Sequence, residues 1–201
     1  MNRETELTRK RYNRTSLFYD WMDRMIKPEL RAKALSRAYG RVLEVGVGTG
    51  KNLAFYHLGC TEFIGIDLSP GMLAKAKERI PEAKVSVKLL EMDAQKLEFP
   101  DASFDTVVAT CVFCSVPDPI KGLKEIKRVC KPEGRIILLE HVRSDSPLLG
   151  KIMDILDPLT VRLIGPHINR RTVENVKNAG LKITSVENQH LKIFKLIMAE
   201  P

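Results

Sequence analysis

Nowhere in this 201-residue sequence do about 18 apolar residues run together, so no membrane-spanning helix is expected. The first residues alternate in charge and carry no apolar stretch, so no secretory leader is expected. Cysteine is scarce. Among Cys60, Cys111, Cys114 and Cys130, only Cys111-Val112-Phe113-Cys114 has C-x-x-C spacing, with neither a second close pair nor histidines at matching distance. A metal site is therefore not expected. The pair lies in an apolar run that reads as a strand end, not at the helix start a redox pair prefers. Reduced thiols in a cytoplasmic protein are the expectation. There is no internal repeat and no low-complexity tract. Hydrophobic residues make up 44% and charged residues 29%, ordinary proportions for a globular domain, and the length suits one domain plus an appendage.

Positive charge is unevenly placed. The net charge is +8, and residues 1 to 41 hold eleven Lys/Arg against five Asp/Glu. The remainder holds twenty-two against twenty, so it is close to neutral. The basic excess sets a helical segment, residues 1-40, apart from a domain over residues 41-201. Within residues 3 to 38, Leu17, Phe18, Trp21, Met22, Met25 and Ile26 fall on one apolar stripe. Pro28 opens a second helical piece and Gly40 stops it. Two roles fit this segment. The stripe packs on the domain as a lid, or it rests on an anionic membrane surface with basic residues on the headgroups.

The stretch that organises the chain is Val42-Leu43-Glu44-Val45-Gly46-Val47-Gly48-Thr49-Gly50. It reads as a buried strand running into a glycine-rich turn and then a helix. Glycines at alternate positions let the backbone turn sharply and let a ligand come closer than a Cβ would allow. The amides of a following helix favour polar or anionic groups. The dinucleotide fingerprint G-x-G-x-x-G would need glycine at position 51, which is Lys51. That class is excluded.

After this turn, strand-like runs alternate with helix-like ones. Strands are expected at Arg41–Val45, Glu62–Asp67, Val85–Leu90, Phe104–Thr110 and Arg135–Leu139. Ser69-Pro70 caps and opens a helix to about Arg79, and Pro119–Cys130 is amphipathic. Residues 146 to 164 form a second amphipathic stretch that Pro158 breaks or kinks. Leu181–Glu187 and Lys192–Ala199 read as an antiparallel hairpin. The alternation predicts an α/β fold: a mostly parallel sheet of seven strands with helices on both faces. Ligands of such sheets bind past the carboxyl ends of the strands. Gathered at that edge are Gly46 to Gly50, Asp67, Asp93, Thr110 to Cys114, and Glu140-His141. Asp67, at the end of the second strand, is placed to accept hydrogen bonds from a ribose diol.

Several motifs stand together at family spacing: the glycine turn, Gly65-Ile66-Asp67-Leu68-Ser69-Pro70, Met92-Asp93-Ala94, Phe99-Pro100-x-x-Ser103-Phe104-Asp105, and Leu123-x-Glu125-x-x-Arg128-Val129-x-Lys131-Pro132-x-Gly134. Over residues 40 to 141 they resemble the Rossmann-like class I S-adenosylmethionine (SAM) dependent methyltransferases of the ubiquinone/menaquinone and phospholipid type. The resemblance implies SAM as cofactor. It implies that Glu44, Gly46, Gly48 and Gly50 form the cofactor turn and that Asp67 holds the ribose. Leu68 and Met72 would flank the adenine, with Asp93 and Ala94 at its amino edge. Thr110, Cys111 and Val112 would line the sulfonium, and Tyr19, next to Asp20, would cover the cofactor. Glu133 departs from the family's usual glycine.

Methyl transfer from a sulfonium needs a docked nucleophile and a dry site, and a base only when the nucleophile arrives protonated. His141 is the candidate base, alongside Tyr19; its alternative is a structural histidine at the strand end. Glu140 shares that ambiguity. His167 is a further candidate for substrate contact, while His57 and His190 read as surface residues. Val116-Pro117-Asp118-Pro119 is similar to phosphatidylethanolamine N-methyltransferases. Cys111 to Val116, Glu140-His141-Val142 and Leu156-Asp157-Pro158 are similar to methyltransferase-like alkyl thiol methyltransferases. A small-molecule or lipid acceptor is expected, a phospholipid amine first, with a thiol or quinone precursor as alternatives, at the inner face of the membrane. A SAM-binding subunit without activity of its own is the alternative of another class. Nucleic acid is not expected, because strand four ends without an Asn/Asp-Pro-Pro-aromatic run and no basic groove is apparent outside the N-terminal segment.

Overall fold

The computed structural model describes residues 3–16, 19–163, 165–189 and 193–201, and the side chains of Trp21, Met22, Asp23 and Leu163 are not among the described ones. Leu17, Phe18 and His190 lie outside these residues.

Chain order is α1 (Arg3–Thr15), α2 (Tyr19–Met22), α3 (Pro28–Leu35), β1 (Gly40–Val45), β2 (Cys60–Asp67), α4 (Pro70–Glu78), β3 (Val87–Glu91), β4 (Phe104–Thr110), α5 (Pro119–Val129), β5 (Cys130–His141), α6 (Pro147–Leu163), α7 (Thr172–Asn178), β6 (Lys182–Asn188) and β7 (Phe194–Glu200). Among the described residues seven strands form one sheet, ordered β3-β2-β1-β4-β5-β7-β6. The first five pair in parallel, whereas β7 runs antiparallel to both β5 and β6. Strand order reverses between β1 and β4, which opens a crevice over their carboxyl ends.

Alternation along the strands sorts the core into two layers. Leu43, Val45, Val107, Ala109, Ile136 and Leu138 pack with Leu123, Ile126 and Val129 of α5 and Val176 of α7. Val42, Val108, Ile137 and Leu139 face the other way and pack with Ala34 and Leu35 of α3 and Leu73 and Ala76 of α4. Helices therefore cover both faces. This parity decides later where the polar residues at the strand ends point.

Some boundaries moved. The expected helix after Gly50 is one 3-10 turn, Leu53–Phe55. Strand β5 starts at Cys130, five residues before the expected Arg135, and runs on to His141. Helix α6 continues through Pro158. Thr160 Oγ1 donates to the Asp157 carbonyl (2.9 Å), and the Asp157 carboxylate accepts from the Ile168 amide (2.8 Å) and pairs with His167 Nδ1 (2.7 Å).

The N-terminal helices lie across the strand ends and are stitched to the loops there. Gln95 Nε2 donates to Thr5 Oγ1 (3.1 Å), and the Gly71 amide donates to Asn13 Oδ1 (2.8 Å). Arg9 pairs with Glu91 at 2.7 Å. Asp20 accepts from the Thr49 hydroxyl (2.6 Å) and from Arg79, while Lys51 Nζ donates to the Asp20 carbonyl (2.9 Å). Thr49 and Lys51 belong to the glycine turn, so Asp20 ties the lid to that turn.

Candidate functional site

Under the N-terminal helices lies a cavity of about 90 Å³, lined by Gly46, Gly48, Asp67, Leu68, Met72, Asp93, Ala94, Thr110, Cys111, Val112 and Tyr19 of the expected residues. Glu44, Gly50 and His141 are not part of the lining.

The glycines divide the work. Gly46 has φ +66°, and a Cβ there would meet Val112 Cγ2 at 2.5 Å. Gly48 has φ +56°, and a Cβ there would have Tyr19 Cε1 at 3.8 Å as its nearest side-chain atom, so the space above it is open. Gly50 has φ +82° and would meet Ala76 Cα of α4 at 2.9 Å. Its absent side chain serves the close approach of helix and turn rather than the cavity.

Asp67 is the best-defined polar group. Oδ2 accepts from the Gly48 amide (2.9 Å) and Oδ1 from the Ser69 amide (2.8 Å). A carboxylate has about four acceptor positions, more than these two amides fill, and Asp67 lines the cavity. Burial pushes its pKa up to about 6, against the lowering effect of those amides. Ser69 caps α4, accepting from the Met72 amide (3.2 Å). Asp93 sits across the cavity, its Oδ1 accepting from the Gln95 amide (2.9 Å) and side chain (3.0 Å).

Glu44 points to the α3 side, as the alternation of β1 requires, and lies beneath the turn. Its oxygens accept from Asn52 Nδ2 (2.7 Å) and the Tyr56 hydroxyl (2.9 Å), and Arg31 donates to Asn52 Oδ1 (2.6 Å). Burial raises the Glu44 pKa to about 7. Asn52 Nδ2 also lies 3.0 Å from Thr110 Oγ1. This network fixes the turn from below, so Glu44 positions the cavity floor without touching the cavity.

The expectation of a base at His141 is corrected by the same parity. His141 shares a face with Ile137 and Leu139, packs edge-on against Phe194 at 5.3 Å between ring centres, and is half-buried there. Burial lowers its pKa. Glu140 takes the opposite face. It accepts from the Val112 (3.0 Å) and Phe113 (3.3 Å) amides, and burial raises its pKa to about 7. His167 is turned to Asp157 rather than to the cavity. His57 is half-buried, its Nδ1 accepting from the Gly59 amide (3.1 Å).

Sequence reasoning missed Thr8, Tyr12, Ser115, Val116 and Pro117, which complete the wall. The Tyr12 hydroxyl hydrogen-bonds Ser115 Oγ, and the Tyr12 and Tyr19 rings meet edge to face at 6.0 Å. Burial holds the Tyr12 phenol above its ordinary pKa. Cys111 has φ +54°, a left-handed conformation that non-glycine residues rarely adopt. It turns the chain out of β4 into the 112–118 wall and is a strained residue at a ligand site. Burial raises the pKa of its neighbour Cys114 to about 12, so that thiol stays protonated.

Residues 43–138 match the model of the methyltransferase domain family. Phosphatidylethanolamine N-methyltransferase of Cereibacter sphaeroides is 42% identical over 56% of this chain and 56% of its own length. Demethylmenaquinone methyltransferase of Thermus thermophilus is 35% identical over 75% of this chain and 73% of its own. The chain spans about half the length of the first relatives it matches. A SAM-dependent methyltransferase structure from Mesorhizobium loti superposes with a TM-score of 0.66 at 18% identity, covering 86% of this chain and 96% of that one. That likeness speaks to the fold alone.

Proposed function

We propose, from the premise that this chain belongs to the class I SAM-dependent methyltransferases, that it transfers a methyl group to the amine of a phospholipid. The residues present fit the cofactor. Gly46 and Gly48 leave room for close approach, and the Asp67 carboxylate in the lining suits a ribose diol. Asp93 offers an acceptor for an adenine amino group, with Leu68, Met72 and Ala94 as flanking apolar walls. Bound SAM supplies an electrophilic methyl on a sulfonium. The protein orients the acceptor and excludes water, with α1 and α2 as cover.

One observation carries the choice of acceptor. Asp67 and Asp93 are the only Asp, Glu, Lys, Arg or His side chains among the described residues of the lining. A negative field draws a cationic headgroup into the site and opposes the thiolate that S-methylation requires; the ammonium gives up one proton to solvent before its nitrogen lone pair attacks the methyl. The rings of Tyr12 and Tyr19 add a surface that attracts ammonium groups. The likeness to a phosphatidylethanolamine N-methyltransferase supports the same reading. Action at the inner membrane face, with the basic N-terminal segment toward anionic headgroups, completes it. The demethylmenaquinone methyltransferase, matched over a larger share of its length, favours a quinone precursor as the second reading.

The test is transfer of labelled methyl from SAM to phosphatidylethanolamine, an alkyl thiol and a demethylated quinone in parallel. Methylated phosphatidylethanolamine is the expected product. Methylation of the thiol or quinone with none on the lipid would overturn the reading.

A further inference from the structure

We infer that α6 is the element by which this protein seats itself in an anionic lipid surface, with its apolar face inserted and the cavity mouth held against the bilayer. The inference rests on the lipid reading above and adds the surface that delivers the acceptor.

Leu148, Leu149, Ile152, Ile155, Leu156 and Leu159 are 73%, 39%, 43%, 76%, 44% and 54% exposed. Positions 148, 152, 155 and 159 follow the period of one helix face, with 149 and 156 beside them. A soluble helix would bury such a stripe. Here it points outward, and the helix is held from its other side. Met153 and Asp157 are buried on the body, and Asp154 pairs with Arg143 at 2.8 Å. The acids of α6 are thus directed at the protein, while exposed Lys151 and Arg162 flank the stripe. An apolar face rimmed by basic residues is the signature of a helix lying in a membrane interface.

Two further observations identify the occupant. The first is charge. Helix α6 leads directly to α1, the basic segment: Arg11 donates to the Gly165 carbonyl (3.4 Å). Two copies packed stripe to stripe in antiparallel fashion would bring the basic Lys151 and Arg162 rims together, which disfavours an antiparallel pair. The second is continuity with the cavity. The segment after α6 is tied to the cavity wall, as the His167 amide donates to the Cys114 carbonyl (2.9 Å) and Arg170 donates to the Val116 carbonyl (3.1 Å). A bilayer on α6 therefore lies beside the wall residues Ser115 and Val116.

The test is co-sedimentation of the full chain with vesicles of phosphatidylglycerol and phosphatidylcholine, free of phosphatidylethanolamine, so that binding does not depend on the acceptor. The parent is expected to sediment with them. The double variant Ile155→Glu/Leu159→Glu should lose about tenfold or more in affinity, with an unchanged urea midpoint because both side chains are more than half exposed. Equal sedimentation of parent and variant overturns the inference. So does a parent that stays in solution, or one whose dimerisation, rather than vesicle binding, the variant abolishes. Methylation of a short-chain, monomeric phosphatidylethanolamine separates the two proposals. If both proteins methylate it while neither sediments, the seat on α6 falls and the lipid reading stands. If only the parent sediments and neither methylates it, the acceptor reading falls and the seat stands.

Discussion

Cofactor affinity should depend on pH through Asp67, and the structure sets the size of the effect. The carboxylate accepts from the amides of Gly48 and Ser69, and a ribose diol would donate to the same carboxylate. Every one of these donors favours the ionised form, so the protonated form should bind the cofactor poorly. With the free-protein pKa raised to about 6, nearly all molecules are ionised at pH 7.5. At pH 5 about one in eleven is, a loss of affinity of about tenfold. The sign for folding is the reverse. A folded pKa above the ordinary 3.8 means that Asp67 adds stability below 3.8 and that this is lost as pH rises through about 6. Calorimetric titration of S-adenosylhomocysteine from pH 5 to 8 measures the first effect, and Asp67→Asn provides the control. The asparagine must turn an amide NH2 toward one of the two backbone amides. It should therefore weaken binding at pH 7.5 by about 1–3 kcal/mol and flatten the pH profile. An affinity that stays constant from pH 5 to 7.5 in the parent, or an identical slope in the variant, would refute the reasoning.

The two glycine substitutions should both cost stability and differ in binding. Gly46→Ala places a left-handed alanine whose Cβ meets Val112; besides destabilising the fold it should weaken S-adenosylhomocysteine binding by about 1–3 kcal/mol, measured by the same calorimetry. Gly50→Ala meets α4 backbone instead and combines that clash with a left-handed alanine. It should lower unfolding free energy in urea by about 2–4 kcal/mol while folded molecules keep their affinity. Glu140 has a folded pKa of about 7 against an ordinary 4.5, so its contribution to stability is present below 4.5 and lost as pH rises through 7. Unfolding free energies from urea titration at pH 5 and 8 should therefore differ by on the order of 3 kcal/mol more in the parent than in Glu140→Gln. Tyr12→Phe removes the hydroxyl bonded to Ser115 and should lower kcat/KM for the acceptor by about tenfold, leaving cofactor affinity unchanged. Steady-state kinetics in both substrates decides it.

Much of the cavity lining was legible because its residues are local. Gly46, Gly48, Asp67 and Asp93 each sit at a strand end, and strand ends are readable from apolar runs and turn residues. The acceptor side is not local. Tyr12 and Ser115 meet across a cavity that no periodicity links. His141 shows the finer limit: one residue of register decides whether a side chain enters the site or the opposite core layer. Gly50 looked like a ligand glycine because backbone freedom reads the same whether a helix or a cofactor approaches. The stripe on α6 had the right period, but period alone does not say whether protein or something else will cover it.

Strand β7 is made last of the seven strands yet lies between β5 and β6. During synthesis β5 must wait with one edge unsatisfied, and β6 has no neighbour to join, until the final strand leaves the ribosome. An open edge of this kind invites pairing with other chains. The growing polypeptide should therefore depend on chaperone protection late, after the cofactor half of the sheet has already closed.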